Sequence, residues 1–234
     1  MYTKESFAYK TLGEMCAELI DKIIWRIKYM DEITIRKAVM SDLPYLYDLC
    51  IKTGYQGKDA TELFSDPFTI GNYYVAPYLS YPVGINFVAE YNYKPQGYIV
   101  AVPDTDLFNQ WMEENWLPPL RSRYLQTFPS YCSNYEKEII DKINERHFPV
   151  DQTLQPWYPK YPSEFHINLH PNIQRKGIGH ILLDNLTIEL VQQGVSGVTL
   201  GVGLENSAAI SFYRKMGFSV LEEEWWGYTM GKLL

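Results

Sequence analysis

The chain has 234 residues, a formal net charge of −7 at pH 7 and 46% hydrophobic residues. This composition is typical of a globular protein with one large or two small domains. The acidic balance disfavours a nucleic-acid partner, which usually meets a basic stripe, and no apolar run reaches the roughly 18 residues of a membrane span. The three distant cysteines, Cys16, Cys50 and Cys132, favour a reducing, cytoplasmic location.

The first predicted element is a helix over residues 11–29, because apolar side chains recur there every three or four positions. Acidic residues within it, such as Glu14 and Glu18, exclude a secretion signal. The stretch MDEITIRKAV then begins an alternating strand near Ile33. We therefore predict a helical extension over residues 1–30 and a main domain over 31–234. The extension would pack on the main domain or on a second copy, which leaves a homodimer open.

The main domain is predicted to continue with a helix over residues 41–54 and then a loop region containing Pro67, Gly71, Pro77 and Pro82. The segments INFVAEY (85–91) and QGYIVAV (96–102) predict two strands. The linker NYKP between them favours an antiparallel hairpin.

Residues 106–162 differ in composition, since they contain seven of the 14 prolines and three of the six tryptophans. We predict an insertion with two short helices, at about 107–116 and 133–148. Insertions of this length in a compact domain are commonly lids or disordered segments, and the aromatic content favours order. A cap over the functional site and a purely structural flap both remain open.

The remaining elements alternate regularly. They are a strand over 163–171, a helix over 177–194, a strand over 197–206, a helix over 207–217 and two final strands or one bent strand over 218–234. Either Asn206 or Ser207 is the predicted N-cap of the second of these helices.

The turn HPNIQRKGIG (170–179) connects a predicted strand to a predicted helix. The first N–H groups of a helix lack partners and attract anions, and glycine lets phosphate oxygens approach the backbone. The P-loop spacing does not fit, and Leu182 stands where a dinucleotide fingerprint needs glycine. These features predict a pyrophosphate site, with a purely structural turn as the alternative.

Two motifs resemble the GNAT superfamily of N-acetyltransferases. The run Gln174-x-x-Gly177-x-Gly179 is similar to the family's acyl-CoA pyrophosphate loop, and LENSAAISFYRKMGF (204–218) is similar to its second signature. The good match covers about 163–220, and a weaker one, by element order, covers 33–105. The segments YYVAPYLSYP and GYIVAV and the aromatic insertion look most like the acetyltransferase-like domain found with O-GlcNAcases and its free-standing bacterial relatives.

The resemblance implies an α/β (α+β) fold with a mixed, mostly antiparallel central sheet, flanked by helices, in which two parallel strands splay apart. The splayed strands would be 164–170 and 197–204, with the pantetheine arm of acetyl-CoA between them. The cofactor-binding residues implied are Leu169 through its backbone, the pyrophosphate loop and two residues after the second strand; these are Leu169, Gln174, Arg175, Lys176, Gly177, Ile178, Gly179, Asn206 and Tyr213.

The resemblance also implies acetyl transfer to an amine, with Tyr213 protonating the leaving thiolate. The general base is open: His166 and Asn168 lie on the outward face of the first splayed strand, and Glu164, Asp104 and Glu90 are further candidates. His166 and His170 share a face, but without a third ligand no metal is expected. No cysteine lies in residues 163–220, which favours direct transfer.

Two functions follow as hypotheses. The first is an acetyl-CoA-dependent N-acetyltransferase acting on an amine of a small molecule or protein, with tyrosines 73, 74, 78 and 81 shaping the acceptor pocket. The alternative is a catalytically silent relative that binds acyl-CoA or regulates a partner.

Overall fold

The computed structural model describes residues 33–126, 133–146 and 155–234. Seven strands form one sheet in the spatial order β1-β2-β3-β4-β5-β7-β6. The strands are β1 (Ile33–Lys37), β2 (Ile85–Tyr91), β3 (Lys94–Val102), β4 (Ser163–Leu169), β5 (Gly197–Gly203), β6 (Ser219–Glu223) and β7 (Gly227–Leu233). Every neighbouring pair is antiparallel except β4 and β5, which run parallel. The predicted mixed, mostly antiparallel sheet with one parallel pair is confirmed.

Helices cover both faces of this sheet. They are α1 (Leu43–Thr53), α2 (Thr69–Tyr74), α3 (Ala76–Ser80), α4 (Thr105–Trp111), α5 (Leu117–Gln126), α6 (Asn134–Asn144), α7 (Ile178–Gln192) and α8 (Ser207–Lys215). The last two pack on one face, where Leu182, Leu186 and Tyr213 join a core with alternate strand residues. The first six pack on the other face around a second core that includes Leu46, Ile70 and Ile140. Each face therefore has its own hydrophobic layer.

The parallel pair separates soon after it forms. The ladder between β4 and β5 contains only two residue pairs, Ser163 with Val198 and Glu164 with Thr199. Beyond them, β4 stays paired with β3 as far as Leu169, and β5 stays paired with β7 as far as Gly203. Because each strand follows its outer neighbour, the two diverge and leave a wedge that opens toward their carboxyl ends.

The described parts of the predicted insertion belong to the core. Phe108, Met112 and Leu117 are buried in the layer on the α1 side, and the Trp116 indole N–H donates to the backbone oxygen of Asn72 at 2.8 Å. A five-residue π-helical turn, Met112–Trp116, joins α4 to α5. The insertion is thus built into the layer over the sheet, while its boundaries at 106 and 162 stay a prediction.

A buried carboxylate fastens the insertion to the loop before α2. Glu136, 1% exposed, accepts hydrogen bonds from the backbone N–H groups of Ser65 and Asp66 at 2.9 and 3.0 Å. The hydroxyls of Ser65 and Thr69 donate to it as well, at 2.8 and 3.2 Å. A buried charge is tolerated when several donors satisfy it, so this residue holds α6 in place.

Several boundaries differ from those predicted. The predicted loop region contains α2 and α3, and this prediction was wrong because tertiary burial of Ile70 and Tyr78 stabilises helices too short to show periodicity. The predicted NYKP linker is a tighter turn at Asn92 and Tyr93, both with positive φ, so Lys94 begins β3. Helix α5 was not predicted; Pro118 and Pro119 lie in its first turn, where proline is tolerated.

The other predicted elements are confirmed with small shifts at their ends. The strand predicted over 163–171 ends at Leu169, and the one predicted over 197–206 ends at Gly203. Two separate strands close the chain. The helix predicted over 11–29 lies outside the described residues. The helical extension over 1–30 and the homodimer that it would allow therefore stay predictions.

Two further features bear on the expected location of the protein. Among the described residues, none of the helices combines the length and apolar character required to cross a membrane. Cys50 is a free thiol buried in the core, and the reducing compartment stays a prediction.

Replacing Glu136 with Ala should lower the free energy of unfolding by about 3 kcal/mol, because two backbone N–H groups and two hydroxyls lose a buried, charged acceptor. Urea denaturation would measure the change. Glu138→Ala, on the exposed side of the same helix, should cost less than about 0.5 kcal/mol. Equal effects in the two variants would contradict the assigned role of Glu136.

Candidate active site

The wedge between β4 and β5 exposes backbone polar groups of β4. The N–H of His170 donates to the backbone oxygen of Gln96 at 2.8 Å, which continues the β3 ladder. Because hydrogen-bonded residues alternate along an antiparallel pair, Ile167 and Leu169 direct their N–H and C=O groups away from β3, toward the wedge. The ladder to β5 has already ended at Glu164. An extended ligand lying in the wedge could therefore pair with these groups as an added strand.

The glycine turn follows β4 directly. A short 3-10 turn over Pro171–Ile173 leads into residues 174–177, where Arg175 and Gly177 both have positive φ, 58° and 87°. Helix α7 then begins at Ile178, with Gly177 as an N-cap that contributes no side-chain hydrogen bond. Left-handed residues alternating with right-handed ones turn successive N–H groups toward one point and form an anion-binding concavity.

The amides of this turn are available to a ligand. Within the described residues, the N–H groups of Arg175, Gly177, Ile178 and Gly179 have no hydrogen-bond acceptor. A Cβ at Gly177 would meet none of the described atoms within 4 Å, so the space in front of the amides is open. Arg175 is exposed beside it, and partial burial lowers the pKa of Lys176. The residues present fit a pyrophosphate.

The other predicted donor-side residues border the same region. The side-chain amide of Gln174 donates to the Leu169 carbonyl at 2.9 Å. Of the two backbone polar groups of Leu169 that face the wedge, the N–H is therefore the one still available to a ligand. A Cβ at Gly179 would lie 3.4 Å from both Leu169 and Phe212, which shows how closely α7 approaches β4. Asn206, rather than Ser207, caps α8 by accepting from the N–H of Ala209 at 3.2 Å.

Tyr213 reaches this region from α8. Its ring packs edge-on against Phe165 of β4, with ring centroids 6.2 Å apart, and its hydroxyl makes no hydrogen bond within the described part of the chain. Burial raises the pKa of Tyr213 above the ordinary value, so the phenol stays protonated and can donate a proton or a hydrogen bond.

A second group of polar side chains lies on the opposite face of β4. Glu164, His166 and Asn168 alternate with the core residues and point toward α1–α3. The hydroxyl of Tyr78 bonds to Glu164 and lies 3.0 Å from Nε2 of His166. The side-chain amide of Asn168 donates to the hydroxyl of Thr53 at the end of α1. The predicted candidates Glu164 and His166 thus both contact the hydroxyl of Tyr78, and Asn168 is hydrogen-bonded to the last residue of α1.

Burial perturbs the proton affinities in this group. It lowers the pKa of His166 to about 4, with a smaller contribution from the positive charge of Lys142. Burial also raises the pKa of Glu164, against the opposing effects of the Tyr78 hydrogen bond and Lys142. The imidazole is therefore neutral at physiological pH.

The insertion reaches this group through Lys142 of α6. Its Nζ lies 3.1 Å from the Tyr74 hydroxyl, and the Tyr74 ring packs edge-on against His166 with centroids 5.0 Å apart. Burial works against the charge of Lys142, yet Tyr74 together with Glu138 and Glu145 keeps its pKa above the ordinary value. We call the region where Tyr73, Tyr74, Lys142 and His166 lie together the acceptor cleft, for the role that we propose for it.

The remaining candidate bases are engaged elsewhere. Asp104 caps α4 by accepting from the N–H of Leu107 at 3.0 Å, and Glu90 pairs with Arg36 of β1, the strand at the edge of the sheet. Nδ1 of His170 accepts from the N–H of Asn172 at 3.3 Å. Within residues 33–126, 133–146 and 155–234, no cluster of three or more His, Cys, Asp or Glu side chains could hold a metal ion.

Three polar residues near the wedge were not predicted as site residues from the sequence: Lys142, Thr53 and Gln56. They come from α6, the end of α1 and the loop after it, far along the chain from β4. The tyrosines expected in the acceptor pocket were a partial indication of this group, since Tyr74 and Tyr78 lie beside His166 and Tyr73 packs against Tyr74. The partners of these tyrosines were not evident from spacing alone.

Comparisons with known proteins agree with this geometry. The acetyltransferase (GNAT) family model matches residues 134–218. The ribosomal protein bS18-alanine N-acetyltransferase of Escherichia coli strain K12 is 42% identical over 55 residues, which is 24% of this chain and 37% of that protein. Its counterpart from Salmonella typhimurium matches to the same extent. The chain thus spans little more than a third of the length of these curated relatives.

Solved structures show the same fold over most of the chain. The crystal structure of SsHAT has a TM-score of 0.76 and 25% sequence identity, covering 86% of this chain and 98% of that one. The PaiA N-acetyltransferase from Thermoplasma acidophilum, in complex with coenzyme A, has a TM-score of 0.52 and 17% identity, covering 86% and 99%. The latter similarity concerns the fold alone.

A sheet with one splayed parallel pair, followed by an amide-lined glycine turn, defines a class of acyl-coenzyme A-binding folds. The family model matches residues 134–218 and the SsHAT structure shares the fold over most of the chain, so this chain is similar to the GNAT superfamily. Members of that family use acetyl-CoA as the acyl donor, whereas the narrower kinship with O-GlcNAcase-associated domains is not shown.

The ring of His166 should titrate with a midpoint near pH 4, which NMR of the imidazole resonances would measure. Because the folded state binds this proton more weakly than the unfolded chain, the contribution to stability is present above about pH 6.5 and is lost as the pH falls toward 4. His166→Gln should remove that part of the pH dependence of unfolding. A midpoint near 6.5 would show that the imidazole is not buried as described.

Proposed function

We propose that the protein is an acetyl-CoA-dependent N-acetyltransferase that transfers the acetyl group directly to an amine of a small molecule or protein. The observation that carries this proposal is the wedge between β4 and β5, which ends at a turn whose amides lack acceptors. Donor-binding groups lie on and beside one side of β4, and a polar cleft lies on the other. Two substrates can thus meet at one strand.

The donor would be held by backbone groups rather than by charged side chains alone. The amides of Arg175, Gly177, Ile178 and Gly179 would bind the pyrophosphate, assisted by the start of α7. The N–H of Leu169 would pair with the arm in the wedge, and an N–H on β4 would stabilise the thioester oxygen as negative charge develops. Asn206, at the head of α8, would border the arm.

The acceptor would enter through the acceptor cleft. As the new N–C bond forms and the C–S bond breaks, the amine loses a proton and the sulfur leaves as a thiolate. Tyr213 would donate a proton to that sulfur, and His166 would take the proton from the amine, directly or through water. The hydroxyl of Tyr78 has one proton, which it donates to Glu164. Nε2 of His166 would therefore carry the proton of the neutral imidazole and donate it to the Tyr78 oxygen. Nδ1 of His166 would then be free to accept a proton.

A specific observation favours a second function. An imidazole with a pKa near 4 is a weak general base at neutral pH, since efficiency is greatest when the pKa lies near the working pH. A protein that binds acyl-CoA without turnover is therefore the alternative. Release of free thiol from acetyl-CoA across a panel of amines, including N-terminal alanine peptides, separates the two functions.

A closer kinship with the acetyltransferase-like domains associated with O-GlcNAcases is part of this proposal. One segment that suggested it, YYVAPYLSYP, forms the end of α2, all of α3 and the residues after them, and it supplies Tyr73 and Tyr74 to the acceptor cleft. Their location at the cleft supports an acceptor preference that differs from that of GNAT proteins without these helices. Matching this aromatic arrangement in a structure of such a domain would test the kinship.

Replacing Gly177 with Asp should weaken coenzyme A binding at least about tenfold, because a carboxylate in front of the turn repels the phosphates. Asp is among the residues that tolerate a left-handed backbone. Gly194→Asp is the matched control, since Gly194 follows the opposite end of α7, also has a positive φ of 75° and is equally open. Isothermal calorimetry would measure both affinities. Equal affinities in the two variants would contradict the pyrophosphate assignment.

Replacing Tyr213 with Phe should lower kcat by about 100-fold while leaving coenzyme A affinity within about twofold, because only the proton donor is removed. Steady-state thiol release with the best amine of the panel would measure kcat. Tyr45→Phe, at an exposed position of α1, is the control. An unchanged kcat in the first variant would assign Tyr213 to packing alone.

A further inference from the structure

A tight turn after α1 lies against the wedge. Tyr55 and Lys58 exchange backbone hydrogen bonds of 3.0 and 2.8 Å, and the two residues between them, Gln56 and Gly57, both have positive φ, 53° and 81°. Two central residues with positive φ are characteristic of a type I′ turn, which prefers Asn, Asp or Gly. Glutamine at the first position is unfavourable for the backbone, which points to a role for its side chain.

Contacts from two other elements hold this turn in place. The Tyr135 hydroxyl of α6 donates to the Gly54 carbonyl at 2.7 Å, and its ring packs edge-on against Tyr55 with centroids 5.4 Å apart. On the other side, Asn168 of β4 donates to Thr53, just before the turn. The turn is therefore anchored to both the insertion and the first splayed strand.

From β4, the turn reaches across to the end of β5. The side-chain amide of Gln56 lies over Gly203, the last residue of β5, where a Cβ would overlap it. A Cβ at Gly57 would lie 3.2 Å from the side-chain amide of Asn206. Residues 53–57 thus form a bridge over the opening of the wedge, from the first splayed strand to the second.

The Gln56 amide lacks a partner in this position. Its Oε1 is inaccessible to solvent and has no hydrogen-bond donor among the described residues. A buried carbonyl without a donor costs about 1–3 kcal/mol, so native structures rarely leave one unpaired. The side chain is held at the wedge by a strained turn, and its acceptor atom is left unsatisfied there.

We propose that Oε1 of Gln56 accepts a hydrogen bond from an amide N–H of the pantetheine arm of the acyl donor. This inference rests on the proposed function and extends it. The arm contains two secondary amides, so it offers an N–H donor at the depth where it passes between β4 and β5. Gln56 would bind the arm from the side opposite α7 and α8, while Leu169 pairs with it along β4.

The experiment compares two probes, coenzyme A and adenosine 3′,5′-bisphosphate, which carries the 3′-phosphate and one of the two 5′-phosphates of coenzyme A but has no arm. Gln56→Leu, of similar size and without an acceptor, should weaken coenzyme A binding about 5- to 10-fold in calorimetry. Its affinity for the bisphosphate should stay within about twofold. Gln192→Leu, at the exposed end of α7, should change neither affinity.

Gly203→Ala provides a second approach to the same contact, because its methyl group displaces the Gln56 amide without altering the turn. It should weaken coenzyme A binding to a similar extent, and the double variant should be no weaker than either single one. This variant also preserves the test if Gln56→Leu fails to fold.

The outcomes separate this assignment from the proposed function. If the unmodified protein binds neither probe, the proposed function fails and the Gln56 contact fails with it. If the unmodified protein binds both probes and Gln56→Leu binds coenzyme A normally, or loses both probes equally, only the Gln56 contact is overturned.

Discussion

The structure depends on one constraint, the early end of the ladder between β4 and β5. Each strand is fully paired on its outer side, β4 with β3 and β5 with β7, and these outer ladders carry the two strands apart after two residue pairs. Backbone N–H and C=O groups in the resulting wedge have no strand partner. Because unpaired buried backbone groups are costly, the wedge is a site that a ligand with its own amides would complete.

A single helix from the insertion acts on three parts of the site. In α6, Glu136 fastens the helix to the loop before α2, Tyr135 holds the turn that contains Gln56, and Lys142 borders the acceptor cleft. Tyr135 and Lys142 are two turns apart and therefore lie on one side of the helix. The insertion thus contacts both the turn beside the wedge and the polar side chains around His166.

Much of the fold could be predicted from local pattern, and the failures have a common cause. Strict alternation predicted the strand around 163–169, and the spacing of apolar residues predicted α7. Helices α2, α3 and α5 were missed because each is short or has proline in its first turn, so neither periodicity nor propensity distinguishes it from a loop. Burial against α1 and α6 stabilises them, and that burial exists only in the folded chain.

The sequence by itself determined the glycine turn and the residues of β4, because backbone conformation and strand alternation are local properties. The tertiary structure decided which groups act together. Tyr78 meets Glu164 and His166 from more than 80 positions away, and Gln56 meets Gly203 only because α1 ends beside the wedge. The same burial lowers the pKa of His166 to about 4. Long-range contacts and desolvation arise from packing, and no spacing along the chain encodes them.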